Sequence, residues 1–266
     1  MIAPRLLPDK YQKWNVRWGA PNGRRLWTSR LARTWVPGGL RLRLGGPFSA
    51  QYNSPTRAFE YPWAVDALGD VHGATVLDLG GSLCGLQFVL DKAGADVINV
   101  DPGENAEGMG WPCTEASMQY LNHLFGTKVR LVNTTLEKAG LREESVDAVL
   151  CISVLEHIPA EGRPSLLQEI MRILRPGGKL ICTVDLFLDL YPFSDEMQNK
   201  FGSNISIQEL ADLSGARVME GIPDELYGLP GFAPKSVLAK LSGYLMGKYP
   251  VLSQCVVLAK PQNVPR

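Results

Sequence analysis

The chain has 266 residues, 45% of them hydrophobic and 20% charged, a balance that supports a full buried core and excludes a disordered chain. No apolar run approaches the roughly 18 residues of a membrane span, and the start lacks the apolar segment and cleavage site of a secretory leader. Formal net charge is zero but unevenly placed: residues 1–60 hold 11 Lys/Arg against Asp9 and Glu60, and the rest is correspondingly acidic.

Four of the six tryptophans (Trp14, Trp18, Trp27 and Trp35) fall in the same basic stretch. Such an arm suits nucleic acid bound through residues 1–43, an anionic membrane surface or an acidic ligand. It equally suits packing onto the chain's own acidic body or a second copy in a homodimer. Five scattered cysteines without a CxxC pair point to free thiols in a reducing, cytoplasmic setting.

Up to residue 46 the chain is broken by PNG, VPGGL and LGGP, which reads as an irregular arm with one short hairpin in LRLRL. Residues 54–68 (SPTRAFEYPWAVDAL) space apolar positions as a helix does, with Pro62 expected to restart or kink it. Strands then alternate with helices: strand 75–79, helix 86–93, strand 97–100, helix 117–125, strand 129–132 and strand 146–153. They continue with helix 164–174, strand 179–184, helix 207–213, strand 216–220, helix 235–246 and strand 253–259. That alternation implies βαβ crossovers and a parallel sheet covered on both faces. The division expected is an arm over 1–53 and an α/β domain over 54–266, with additions at 186–205 and 221–250. In the second addition Leu238, Leu241, Leu245 and Met246 would share one side of the helix, as core or as a lid over an apolar acceptor.

Ligands of such sheets sit beyond the carboxyl ends of the strands. The first strand ends in VLDLGGSLCG, where Gly80 allows a sharp turn and the next helix offers its first N–H groups. Asp101 closes the second strand about 21 residues later, the place of a carboxylate that accepts two ribose hydroxyls. Together these indicate a cofactor containing adenosine, with nicotinamide and sulfonium types both open.

The segment SVDAVLCISVLEHIPAEGRPSLLQEIMRILRPGGKLICTV resembles the class I S-adenosylmethionine-dependent methyltransferases. Asp147 opens its strand, Leu155-Glu156-His157 follows it, and Arg172-Ile173-Leu174-Arg175-Pro176-Gly177-Gly178-Lys179-Leu180 spells the family's turn. The resemblance is strong over residues 75–184, and residues 1–50 have no counterpart in it. It implies a Rossmann-like, doubly wound, mostly parallel seven-stranded sheet with an antiparallel final strand. The cofactor implied is S-adenosyl-L-methionine.

Carried over, the resemblance places Asp78, Gly80, Gly81 and Ser82 around the methionine end of the cofactor and Asp101 on the ribose. Thr135 stands where the family writes an acid, which leaves the adenine contact to the backbone of Leu136. Ser153 would lie near the transferred methyl, and Tyr52 and Arg57 would fold over the cofactor carboxylate. Ser82 and Cys84 replace two family glycines; Cys84 reads as a buried thiol rather than a nucleophile. His157 is the first candidate for a base, with Glu156 and Asp185 as further candidates, each weighed against a structural role. His72 and His123 read as loop and surface residues, and no metal-ligand grouping is apparent.

The function expected is methyl transfer to a small-molecule acceptor, by O- or N-methylation. The competing readings are a nucleic-acid methyltransferase using the arm and a cofactor-binding partner protein without turnover.

Overall fold

The computed structural model describes residues 1–29, 35–106 and 112–262. Seven strands, β1 (Thr75–Leu79), β2 (Asp96–Val100), β3 (Arg130–Val132), β4 (Val146–Ile152), β5 (Leu174–Phe187), β6 (Arg217–Glu220) and β7 (Val251–Ala259), form one sheet. Their order is β3-β2-β1-β4-β5-β7-β6. All pairings are parallel except those of β7, which is antiparallel to β5 and β6. Chain order reverses between β1 and β4, where the carboxyl ends of strands open a crevice.

Alternation along each strand sends Val76 and Val97 to one face, and Leu77 and Ile98 to the other. On the first face lie the helices Arg57–Leu68, Gly85–Lys92 and Glu115–Phe125; on the second lie Arg163–Ile173 and Ile207–Ser214. Asp147 joins two elements. Its Oδ2 accepts from Thr75 N at 2.8 Å, and its other oxygen pairs with Arg175 of the Pro-Gly-Gly turn. The family turn is thus tied to the start of β1. No helix among the described residues is long and apolar enough to cross a membrane.

The arm packs on the body. Ala3 N donates to Ser253 O at 2.9 Å and Cys255 N to Met1 O at 2.8 Å, so the first residues run against β7. Tyr11 packs edge-on against Phe59 at 5.3 Å, and Trp14 against Phe48 at 5.7 Å. Pro62 lies inside the helix Arg57–Leu68 and cannot donate to Ala58 O; Asn15 of the arm does so instead, at 2.7 Å. The helix continues through Pro62 because the arm supplies the missing donor.

Three expectations differ. The stretch up to residue 46, read as irregular, carries the helices Asp9–Trp18 and Arg25–Thr28. LRLRL is part of a helix, Gly38–Gly45, opened after Pro37 and closed at Gly46 (φ 86°). Its alternation is too short to hold a strand without a partner. The helix expected at 235–246 covers only Pro234–Ala239, followed by a turn at Leu241–Gly243. There Arg5 N donates to Gly243 O at 2.8 Å and Leu245 N to Ala3 O at 2.8 Å, so the arm takes the backbone into extended pairing. The single apolar side fails with it. Leu241 and Leu245 enter different clusters, while Leu238 and Met246 are exposed.

Candidate functional site

After β1 the chain turns at Gly80 (φ 66°) and passes Ser82 (φ 45°) before the helix Gly85–Lys92. A Cβ on Gly80 would lie 2.8 Å from Val154 Cγ2, so the loops after β1 and β4 approach as only glycine permits. Ser82 is held in its left-handed conformation from three sides. Its N–H donates to Asp101 Oδ2 at 2.7 Å, and its carbonyl accepts from Asn99 Nδ2 at 2.7 Å and Gln87 Nε2 at 3.0 Å. Asn99 and Gln87 are fully buried and bond each other at 2.9 Å. This amide pair is invisible in a linear motif, because the two residues come from a helix and from β2. Asn99→Leu is expected to destabilise the protein by about 2–3 kcal/mol, read from the urea midpoint, because it strands buried polar groups of the loop.

Asp78 ends up 2% exposed with the Cys84 thiol 3.7 Å from its Oδ2. Burial, and then the nearby charge of Asp101, push its carboxyl from 3.8 to about 7. Burial beside Asp78 also pushes the Cys84 thiol up, so it stays protonated and is no nucleophile. Asp101 accepts from Ser82 N with one oxygen and from Gly103 N at 2.6 Å with the other; burial raises it while those bonds oppose the rise.

A cleft of about 800 Å³ runs along the carboxyl ends of the strands. Every residue assigned from sequence lines it except Glu156: Tyr52, Arg57, Asp78, Gly80, Gly81, Ser82, Asp101, Thr135, Leu136, Ser153, His157 and Asp185. Tyr52 stands 70% exposed at the rim with Lys248 Nζ 5.7 Å from its ring centre. Arg57 is half-buried and pairs with Glu60; loss of solvent pulls its guanidinium down, but Glu60, Tyr61 and Asp185 more than offset this and the net shift is upward.

Beyond β4, His157 Nδ1 meets Phe201 O. A carbonyl only accepts, so Nδ1 is the donor in this contact and Nε2 is the ring nitrogen left for another partner. Glu156 lies beneath, 1% exposed. Its Oε1 accepts from Asp185 N at 3.0 Å, and its Oε2 has no partner among the described residues. Burial, and then the Glu156 charge, hold the Asp185 carboxyl well above the usual carboxylate range. Glu156, His157 and Asp185 bring one ligand atom each within 4.8 Å of one another. The sequence showed no such grouping, and the fold makes one by setting the end of β5 beside the turn after β4. Beside it stand the rings of Phe187, Phe201 and Tyr249, the last two with centres 3.9 Å apart.

Residues 77–182 match the family described as "Methyltransferase domain". A ubiquinone biosynthesis O-methyltransferase of Aliivibrio fischeri (strain ATCC 700601 / ES114) is 32% identical over 120 residues, 44% of this chain and 46% of that protein. Over residues 77–182 the chain is similar to methyltransferase domains, and its sheet has the fold of the class I S-adenosylmethionine-dependent methyltransferases. The matched stretch spans about half the length of the curated relative. Beyond it, the fold likeness of this methyltransferase domain continues into the arm. A Burkholderia thailandensis 1,6-didemethyltoxoflavin-N1-methyltransferase, solved with 1,6-didemethyltoxoflavin and S-adenosylhomocysteine, has a TM-score of 0.51 at 17% identity, covering 98% of this chain and 95% of that one. The cyclase SpnF shares the fold as well, with a TM-score of 0.54 at 12% identity over 89% of this chain and 97% of that one. The reaction of a methyltransferase-type domain is therefore argued from its site and not from its sheet.

Proposed function

We propose that the protein transfers a methyl group from S-adenosyl-L-methionine to a hydroxyl of a small planar acceptor. The observation that carries this is the polarity of the cleft: buried carboxylates line its β1–β2 end, while the His157 imidazole, held through Nδ1, and an aromatic wall line its β4–β5 end. The relatives that are O-methyltransferases by name support the choice of hydroxyl.

The site fits the cofactor on its own chemistry. Asp78 and Asp101 are buried carboxylates raised by burial, and a ligand carrying a sulfonium and an ammonium offsets that charge. At Gly80 and Gly81 a Cβ would run into Val154 and Asp78, so the glycines keep the loop backbone tight against the cleft lining. In this reading Asp78, Gly80, Gly81 and Ser82 hold the methionine portion, with Tyr52 and Arg57 over its carboxylate. Asp101 takes the ribose, Thr135 and the backbone of Leu136 border the adenine, and Ser153 lies near the sulfur. The cofactor supplies an already activated methyl, so the chain's task is alignment of the acceptor and removal of its proton. His157 Nε2 takes that proton. Asp185 faces the acceptor, and Glu156 positions Asp185 through its backbone N–H. The catalytic domain is residues 54–266, with 186–205 and 221–250 closing the acceptor end and residues 1–53 as an accessory arm.

Calorimetric titration with S-adenosylmethionine tests this reading. Because Asp78 must ionise to meet a cation, affinity is expected to rise roughly twentyfold between about pH 5.5 and 7.5 and then flatten. Asp78→Asn is expected to lose that dependence. An affinity that ignores pH in the parent protein, or no binding at all, contradicts the reading. Running turnover assays with a catechol acceptor, with and without a chelator, shows whether the Glu156–His157–Asp185 group works as acid and base alone.

A further inference from the structure

Among the described residues, the four most exposed large apolar side chains all lie on the arm: Leu6 (84%), Trp35 (81%), Val16 (78%) and Leu26 (71%). Leu40 is exposed as well. The stretch that carries them has a single acid before residue 60, Asp9, against 11 basic residues. Arg5, Lys13, Arg17 and Arg43 are exposed and form no ion pair among the described residues.

The helix Asp9–Trp18 shows how the two features are arranged. Tyr11, Trp14 and Trp18 face the core, which leaves Lys13, Val16 and Arg17 outward at i, i+3 and i+4. Arg24 gathers the neighbouring pieces: its Nη2 donates to Arg17 O at 2.9 Å, its Nη1 to Leu44 O at 3.2 Å, and its N–H to Gly45 O at 2.8 Å. The helix Arg25–Thr28 with Leu26 and the helix Gly38–Gly45 with Leu40 are thereby held near Val16. Aliphatic groups presented this openly are at odds with water, and an apolar medium relieves them. Cations interleaved with them favour a negative surface over that medium.

We propose that this face of the arm docks on an anionic lipid bilayer, with Val16, Leu26 and Leu40 entering the interface and Lys13, Arg17 and Arg43 meeting the headgroups. Single-stranded nucleic acid is the weaker match, since aliphatic side chains cannot stack on bases and Trp35 is the one exposed aromatic of the set. The acidic remainder of the chain turns the same face toward a negative membrane, because zero net charge still leaves an uneven distribution. Docking would bring the cleft rim close to the bilayer. Asn53 N donates to Asn22 Oδ1 at 2.6 Å and Asn53 Nδ2 to Pro21 O at 2.6 Å, which ties the arm to the segment beside Tyr52. The docking is independent of the methyl-transfer reading and is tested without it.

Sedimentation of the full chain with vesicles of phosphatidylcholine alone, or with about a third phosphatidylglycerol, tests this at about 0.1 M and about 0.5 M salt. Binding to the anionic vesicles is expected, weakening with salt, with little on the zwitterionic ones. Lys13→Glu with Arg17→Glu is expected to weaken binding at low salt by at least about twentyfold, given roughly fivefold per basic residue at such a surface. Val16→Ser with Leu26→Ser is expected to lower it about tenfold at both salts. Melting temperature and cofactor affinity should stay at parental values in both pairs, which shows that the body is folded. No sedimentation with anionic vesicles, equal binding to neutral ones, indifference to both pairs of substitutions, or tighter binding to a single-stranded oligonucleotide than to vesicles would each overturn the proposal.

Discussion

Asp78→Asn is expected to stabilise the ligand-free protein at pH 8 and to bind S-adenosylmethionine weakly, at a level that does not change with pH. Asp78 sits 2% exposed with a thiol as its side-chain partner, and its carboxyl rises from 3.8 to about 7 through burial and the charge of Asp101. The folded protein therefore binds a proton more tightly than the unfolded chain. This favourable contribution is complete below about pH 4 and is lost as pH rises through 7, so an ionised Asp78 works against folding at pH 8. The shift corresponds to a destabilisation on the order of 2–4 kcal/mol at pH 8. A neutral amide of the same shape removes most of it. Thermal melts should show a gain of several degrees at pH 8 that shrinks as pH falls and vanishes below about pH 4, where the parent side chain is protonated in the folded and the unfolded chain alike. Binding moves in the opposite direction, because the amide cannot neutralise a cation. A variant that melts no higher than the parent at pH 8 would show that Asp78 has a partner in solution.

His157→Asn carries the second large effect, on rate alone. With Nδ1–H directed at Phe201 O, only Nε2 can receive a proton from an acceptor in the cleft, and asparagine offers no replacement. Single-turnover transfer to a catechol is expected to slow by about 10²–10⁴-fold. The affinity for S-adenosylmethionine should stay within about twofold, since His157 lies at the β4–β5 end. Loss of the Phe201 contact removes about 1 kcal/mol of stability, too little to explain such a rate change. A rate within about threefold of the parent would assign His157 to holding the 199–203 segment in place.

Much of this geometry was legible in the chain because it rests on local rules. Strand runs such as VDAVLCI announce themselves by continuous apolar character, and Asp78 and Asp101 were found by their place at strand ends. The β5 turn was readable because Pro176, Gly177 and Gly178 punctuate it. What escaped depends on partners distant in sequence. LRLRL has the alternation of a strand and lacks a neighbour to pair with, so it coils against the arm. Residues 240–246 have helical spacing, yet their backbone pairs with residues 3–5, which no local pattern announces. The Asn99–Gln87 support of Ser82 and the approach of Asp185 to Glu156 likewise arise only once β2 and β5 have taken their places in the sheet.

The same dependence explains the unusual loop after β1. Ser82 occupies a conformation that glycine adopts freely. It is fixed there by two buried amides and the Asp101 carboxylate, so the chain trades backbone freedom for side-chain bonds. The loop's shape is therefore set before any ligand arrives.

The most direct test of the central claim is a crystal structure of the complex with S-adenosylhomocysteine. The ribose hydroxyls are expected on Asp101, the amino group facing Asp78, and the sulfur directed at the gap between Ser153, His157 and Asp185. A ligand lying elsewhere, or reversed so that adenine occupies the His157 end, would contradict it.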